Sequence, residues 1–238
     1  MGHRSLLLSP AEFGAARWRH ILGASSWVGQ QSFVAAEELA EALPLRPRAR
    51  LLDAGGGDGA FARWLANNRS LRVSSFDPGV RRSRSADGVE LLRGSFEHWP
   101  PGIASDQFDG LMSLDAVQHA ADIEQAIATL LTRARNGPVI ITAWSTTDVA
   151  LAHAWGFEAQ PWPRIGAIAH EHGLTLSASP SFVERVRRQL ESLTMLADDA
   201  RALFGNLDFD NRLRLERATA AAAESGKLRQ AVLRRDAA

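Results

Sequence analysis

The sequence predicts an α/β protein with a parallel sheet and helices on both faces. Three observations predict it. Short β-rich apolar stretches alternate with helix-patterned stretches across residues 49–144, the pattern that winds a parallel sheet. A glycine run joins the first strand pattern to the first helix pattern, in LLDAGGGDGAFARWLA (51–66). The strand patterns around it each end on an acid, Asp53 and Asp77.

The elements follow in order. Residues 11–21 and 32–43 carry helix formers at helical spacing, separated by the glycine- and serine-rich LGASSWVGQQS, which reads as a loop. Residues 45–50, with Pro47 inside and Pro44 just before, read as a linker. ARLLD (49–53), LRVSSFD (71–77), VELLRG (89–94), FDGLMSL (108–114) and PVIITAW (138–144) are strand patterns. After the glycines, Phe61, Trp64 and Leu65 share a helical face, and Ile123, Ile127, Leu130 and Leu131 share another, stopped by Asn136-Gly137-Pro138. The pattern then loosens around Trp144, Trp155 and Trp162. Residues 165–172 read as helix and LTLSAS (174–179) as strand. Residues 182–196 form an amphipathic helix, and 211–225 a helix closed by Gly226. KLRQAVLRR (227–235) alternates and is expected to be a final edge strand.

Composition narrows the function. The formal net charge is zero, which argues against a general nucleic-acid binder. Cysteine is absent, so there is no disulfide, thiolate metal site or cysteine nucleophile. Tyrosine is absent and lysine occurs only at Lys227, which removes two common catalytic side chains. No apolar run approaches the roughly 20 residues of a membrane span, and the early SLLL is too short for a signal core. The expectation is a cytoplasmic protein with no membrane and no nucleic-acid partner. His170-Glu171-His172 would place its histidines on different sides of a helix, so no metal site is expected.

The glycines let backbone N–H groups approach a ligand closely, and the helix N-terminus behind them favours an anionic group. Gly55, Gly57 and Ala60 satisfy G-x-G-x-x-G/A, with Asp77 placed to grip a ribose hydroxyl, so a dinucleotide fits on spacing alone. A P-loop does not, because no Gly-Lys-Ser/Thr follows.

Asp53 just before the first glycine, and the D-x-G-x-G-x-G spacing that follows, resemble the first motif of class I S-adenosylmethionine-dependent methyltransferases. Asp77 in FDPG resembles the acid that the family places on the cofactor ribose. GSFEHWP (94–100) resembles the family's third-strand segment, with Ser95 where an aspartate is usual. Residues 108–144 resemble the fourth strand, helix and fifth strand, with His119 and Asp122 before the helix. The motifs cover roughly residues 20–144, and the layout is most similar to the small-molecule branch.

That resemblance implies a Rossmann-like class I methyltransferase fold: a mostly parallel seven-stranded sheet flanked by helices. It also implies an N-terminal helical lid (1–46), a cofactor-binding domain (47–238) and an acceptor-pocket insertion around 145–163. It implies S-adenosylmethionine as cofactor, held by Trp27, Asp53, Gly55, Gly57, Asp77, Pro78, Ser95, Phe96 and Leu114, with Trp99 near the adenine. His119, at the carboxyl edge of the sheet, is the candidate general base. Gln31, Gln118 and Trp144 are candidates for contacting a small-molecule acceptor. The clusters Arg185, Arg187, Arg188 and Arg212, Arg214, Arg217 read as solvated helix faces. The reaction expected is O- or N-methylation of a small molecule in specialised metabolism, with C-methylation left open. A cyclase or decarboxylase on the same scaffold, a non-catalytic partner subunit and a nicotinamide oxidoreductase are the alternatives. A homodimer through the N-terminal helices or the last strand is a further expectation.

Overall fold

The computed structural model describes residues 38–57, 59–104, 107–134, 136–195, 197–198 and 206–236. The chain runs β1 (Arg50–Ala54), α1 (Ala60–Arg69), β2 (Arg72–Asp77), β3 (Arg84–Ala86), β4 (Val89–Arg93), α2 (Pro101–Ala104), β5 (Gly110–Leu114) and a 3-10 turn (Val117–His119). It continues with α3 (Ile123–Arg133), β6 (Val139–Thr146), α4 (Val149–Ala154), α5 (Trp162–Glu171), β7 (Thr175–Ala178), α6 (Phe182–Met195), α7 (Asn206–Glu224) and β8 (Leu228–Arg235).

The strands form one sheet of eight, in the order β3-β4-β2-β1-β5-β6-β8-β7. From β4 to β6 every pairing is parallel. β3 and β8 run antiparallel to their neighbours. The sheet is thus Rossmann-like and mostly parallel, as expected, but among the described residues it has eight strands, not seven. The added strand, β3, is exposed along its whole length and therefore carries no apolar signal. A second correction concerns β8. It is not an edge strand: it lies between β6 and β7, and β7 is the edge. Its exposed Arg229 and Arg234 give it an edge-like alternation, while Gln230–Leu233 are buried.

Side-chain alternation along the strands divides the core between the two faces. On one face Leu52, Leu111, Val139, Ile141 and Leu233 pack with Ile123, Ile127 and Leu130 of α3 and Ile165 and Ile168 of α5. On the other face are two clusters. Leu51, Met112, Leu114 and Ile140 pack with Phe61 and Leu65 of α1. Trp144 and Leu228 pack with α4, Phe182 and Val186 of α6, and Ala220 and Ala223 of α7. Thr142 lies between Ile140 and Trp144 on β6, so it faces the seam between these two clusters.

Local signals explain the helix ends near the site. Asp122 caps α3, its Oδ1 accepting from Glu124 N at 3.0 Å and Gln125 N at 3.1 Å, a cap worth about 1 kcal/mol. α1 opens at Gly59 (φ 75°), whose left-handed backbone starts the helix without a side-chain cap. The predicted lid (1–46), with Trp27 and Gln31, lies outside the described residues except for 38–46. Residues 145–163, where an insertion is expected, hold α4 and the start of α5.

Candidate functional site

The chain order reverses between β1 and β5: from this pair the strands proceed outward in opposite directions. Open α/β sheets place their ligands at such a switch point, beyond the carboxyl ends of the strands. The glycine loop follows β1 at that point, and three of its glycines serve distinct purposes. A Cβ on Gly55 (φ 79°) would lie 2.2 Å from Ala116 Cβ, so this glycine lets the loops after β1 and β5 touch. A Cβ on Gly56 would lie 2.1 Å from both Asp53 Oδ2 and Ser75 Oγ, so this glycine closes over the buried acid. Among the described residues, a Cβ on Gly57 (φ 61°) would meet nothing within 4 Å. Gly57 therefore fronts open space.

Asp77, at the end of β2, receives Gly57 N–H on Oδ2 at 3.1 Å and Gly79 N–H on Oδ1 at 2.7 Å. The second bond closes the turn that carries the exposed Pro78. Asp77 thus faces the open side of the glycine loop. Asp53 is 3% exposed and accepts from Ser75 Oγ at 2.9 Å. Burial pushes its pKa up to about 7; the Ser75 bond pulls the other way, and the nearby Asp77 charge adds to the rise. Because Gly56 covers it, Asp53 acts from beneath the loop. A ligand ammonium would reach it through the loop or a water, not by open contact.

The 94–100 segment closes the adjacent side. Ser95 accepts from His98 N–H at 3.1 Å, so its hydroxyl is tied into its own turn. Phe96 and Trp99 pack on Phe76 with ring centroids 5.8 Å and 5.0 Å away. Trp99 Nε1 donates to Phe96 O at 2.9 Å. Glu97 accepts from Ala121 N at 2.9 Å, joining this segment to the loop before α3. That backbone bond, more than any other influence, holds the Glu97 pKa below the usual range.

On the other side of the switch point, β5 ends at Leu114, whose side chain is buried. Asp115 follows with φ 50°, a left-handed conformation that aspartate tolerates better than most residues. Its N–H donates to Thr142 Oγ1 at 2.9 Å. Its carboxylate accepts from Thr142 Oγ1 at 2.9 Å and from Gln230 Nε2 at 2.8 and 3.0 Å. Arg185 Nη2 donates to Gln230 Oε1 and to Ser179 Oγ. One amide thus bridges a guanidinium and a carboxylate. Burial raises the Asp115 pKa; Gln230, Thr142, Arg185 and Trp144, in that order, oppose the rise. Burial lowers the Arg185 pKa, with the charges of Asp115 and Glu38 opposing.

Gln118 is 3% exposed and donates from Nε2 to Asp115 O at 3.0 Å. His119 is exposed; its Nδ1 lies 3.3 Å from Gly156 O and its ring meets Phe157 edge-on at 5.7 Å. Trp144 is 3% exposed, with Trp155, Phe157 and Phe182 packed edge-to-face around it. It is therefore a core residue, with its indole N–H buried on the Asp115 side.

The structure brings Asp53, Gly55, Gly57, Asp77, Pro78 and Leu114 to one sheet edge. Gln118, His119 and Trp144 stand on its β5–β6 side. Sequence reasoning missed Asp115 and misread Arg185. Arg187 and Arg188 have exposed side chains paired with Glu184, as a solvated face should. Arg185, however, is 5% exposed. Its signal was positional: Arg185 and Gln189 fall three and seven residues after Phe182, on the helix face that is buried. Arg212 likewise is not solvated; it pairs with fully buried Glu216 and lies 4.5 Å over the Trp155 ring. Among the described residues there is no group of three or more His, Asp or Glu that could hold a metal, and no helix long and apolar enough to cross a membrane.

The glycine cradle and the flanking acids fit S-adenosylmethionine, with Gly57 fronting the cleft and Asp77 at its side. The comparisons agree with this. The model of a family described as a methyltransferase domain matches residues 29–204, and the chain belongs to that family. The chain is 32% identical over 128 residues to the malonyl-acyl-carrier-protein O-methyltransferase of Enterobacter lignolyticus strain SCF1, a match covering 50% of this chain and 49% of that protein. It thus spans about half the length of this relative. Among solved structures, Haemonchus contortus phosphoethanolamine N-methyltransferase 2, in complex with phosphomonomethylethanolamine and S-adenosylhomocysteine, superposes with a TM-score of 0.73 at 17% identity. That match covers 93% of this chain and 56% of the other. The 4+2 cyclase SpnF superposes with a TM-score of 0.66 at 14% identity, covering 87% of this chain and 82% of the other. At these identities the two structures speak for the fold alone.

Proposed function

We propose that this protein transfers the methyl group of S-adenosylmethionine to a small-molecule acceptor. The observation that carries the proposal is the Gly57–Asp77 pairing at the switch point, which sets an open glycine backbone against a carboxylate where a ribose must be held. When bound, the cofactor supplies an electrophilic methyl on a sulfonium. The chain's own residues bind and align. Asp77 accepts the ribose hydroxyls as charge-assisted hydrogen bonds. The open Gly57 backbone admits the cofactor without a Cβ in the way. Phe96 and Trp99 flank the base, while Ser95 shapes their turn. Asp53 and the Leu114 carbonyl serve the methionine end. Alignment of this kind supplies several kcal/mol of a transfer barrier.

The acceptor lies over β5 and β6, near Gln118 and His119; the lid candidates Trp27 and Gln31 lie outside the described residues. His119 at the rim keeps Nε2 free for a proton when Nδ1–H faces Gly156 O. A cyclase reading shares the cofactor pocket, because fold and pocket do not define a reaction.

The test is a thermal-shift series with S-adenosylmethionine, S-adenosylhomocysteine and NAD. A ligand at about 100 times its dissociation constant stabilises by about 2.7 kcal/mol. The first two raise the melting temperature and NAD does not; the reverse pattern overturns the proposal. Formation of S-adenosylhomocysteine in the presence of an acceptor separates transfer from cyclisation.

A further inference from the structure

Gln230 is the register partner of Trp144 on β6, and β6 separates it from β5. Its side chain nevertheless reaches the residue that follows β5. Nε2 donates to Asp115 Oδ1 at 2.8 Å and Oδ2 at 3.0 Å, and Oε1 accepts from Arg185 Nη2. Gln230 is 1% exposed and Arg185 5%. One amide from β8, used at both ends, thus joins a guanidinium on α6 to a carboxylate after β5. Arg185 is held further by Ser181 Oγ and Ser179 Oγ. Asp115 and the exposed Glu38 are the charges that bear on it.

Asp115 in turn holds the start of the next turn. Its N–H donates to Thr142 O at 3.1 Å and Oγ1 at 2.9 Å, and its Oδ1 accepts from Thr142 Oγ1 at 2.9 Å. These bonds fix its left-handed backbone, φ 50°. The following residues take their places from it. Ala116 is set against Gly55, where no methyl would fit. Gln118 Nε2 donates back to Asp115 O at 3.0 Å. His119 N donates to Ala116 O at 3.0 Å, and the imidazole then stands beside Gly156 O and Phe157.

We infer that Gln230 is a positioning residue for His119: by tying Arg185 to Asp115 it holds the turn that sets the imidazole at the rim and Ala116 on the glycine loop. The inference rests on the methyltransferase reading, in which His119 is the candidate base, and adds β8 and α6 to what places that base. Buried charge pairs contribute little net stability, and their best-attested use is to select one geometry. An amide bridge selects with direction, because it donates at one end and accepts at the other. It suits an acceptor on the Asp115 side and a donor on the Arg185 side, and not the reverse. An apolar side chain in its place would leave each charge short of a partner.

The test reads the imidazole proton resonances of His119 in the full chain, assigned through His119→Gln, at about pH 8.5, where an ordinary imidazole is neutral. The Phe157 ring displaces the resonances of protons held beside it, so the signal reports where the imidazole sits. Gln230→Met keeps the length of the side chain and removes both bonds. Asp115→Asn keeps the shape and a residue tolerant of the left-handed backbone, but sets amide against amide. Each moves the His119 resonances toward those of an unpacked histidine. Asp115→Asn combined with Gln230→Glu exchanges amide and carboxylate. The new carboxylate on β8 accepts from Arg185 and from the new amide after β5, and the number of charges is unchanged. This exchange returns the resonances most of the way to wild type. A residue that only stabilises the fold would lower the melting temperature and leave the His119 resonances of the folded chain in place. That result, or an exchange no closer to wild type than Asp115→Asn alone, overturns the inference. Should Asp115→Asn fail to fold, the exchange is compared with Gln230→Met instead. S-adenosylhomocysteine is titrated separately into the wild type by calorimetry. Absence of binding there defeats the methyltransferase reading and leaves the His119 result standing by itself.

Discussion

Ser75 Oγ donates to Asp53 Oδ2 at 2.9 Å between two residues that are direct register partners across β1 and β2. The bond ties the carboxyl ends of the central strands together beneath the glycine loop. It also partly stabilises a charge that burial disfavours. With Gly56 packed on both oxygens, any change here acts on fold and cofactor site together.

The first prediction concerns pH. The Asp53 pKa is about 7 in the folded chain against 3.8 for the free side chain. Between these values the folded state holds a proton that the unfolded state has lost. Stability therefore falls as pH rises from about 4 to about 7 and levels off above. A gap of that size corresponds to about 4 kcal/mol at most. Urea unfolding at pH 5 and pH 8 should show the decline in the wild type, and Asp53→Asn should flatten it. Equal slopes would show that Asp53 titrates normally.

The second prediction separates two neighbouring glycines. Gly56→Ala drives a methyl into Asp53 and Ser75 and breaks their bond, at a cost of about 1.5–3 kcal/mol for a hydrogen bond to a charged group. Gly57→Ala meets no atom and costs only the left-handed backbone, about 1–2 kcal/mol. Its methyl instead projects into the cleft. Denaturation midpoints should fall further for Gly56→Ala. Calorimetric titration with S-adenosylhomocysteine should show the larger proportional loss of affinity for a folded Gly57→Ala.

These residues also show what sequence can carry. The glycine run, the acids at the ends of β1 and β2, and the alternation of elements are local patterns, and the structure brings the residues they single out to one sheet edge. β3 was illegible because its three residues are exposed and only its hairpin with β4 makes it a strand. β8 was misplaced because its neighbours, β6 and β7, are chosen by pairing across a long sequence gap. The Asp115–Gln230–Arg185 chain joins β5, β8 and α6, and no spacing rule connects positions so far apart. Arg185 was misjudged because charge outweighed its position on the buried helix face.

The third prediction tests the ribose clamp. Asp77→Ala removes the acceptor of the Gly57 and Gly79 N–H bonds and the proposed partner of the ribose hydroxyls. Charge-assisted bonds contribute about 1.5–3 kcal/mol each, so affinity for S-adenosylhomocysteine should fall about 10- to 100-fold or more. Asp77→Asn keeps one acceptor oxygen and should fall between. Wild-type affinity in Asp77→Ala would remove this residue from the cofactor site.

The fourth prediction tests the candidate base. His119 is exposed, with one ring nitrogen facing Gly156 O and the ring edge-on to Phe157. A base in contact with the acceptor contributes about 10²–10⁴-fold to the rate. His119→Ala should therefore lower kcat within that range, while the melting-temperature rise with S-adenosylhomocysteine persists. A loss of kcat smaller than about tenfold with the cofactor shift intact would make His119 a rim residue and not the base.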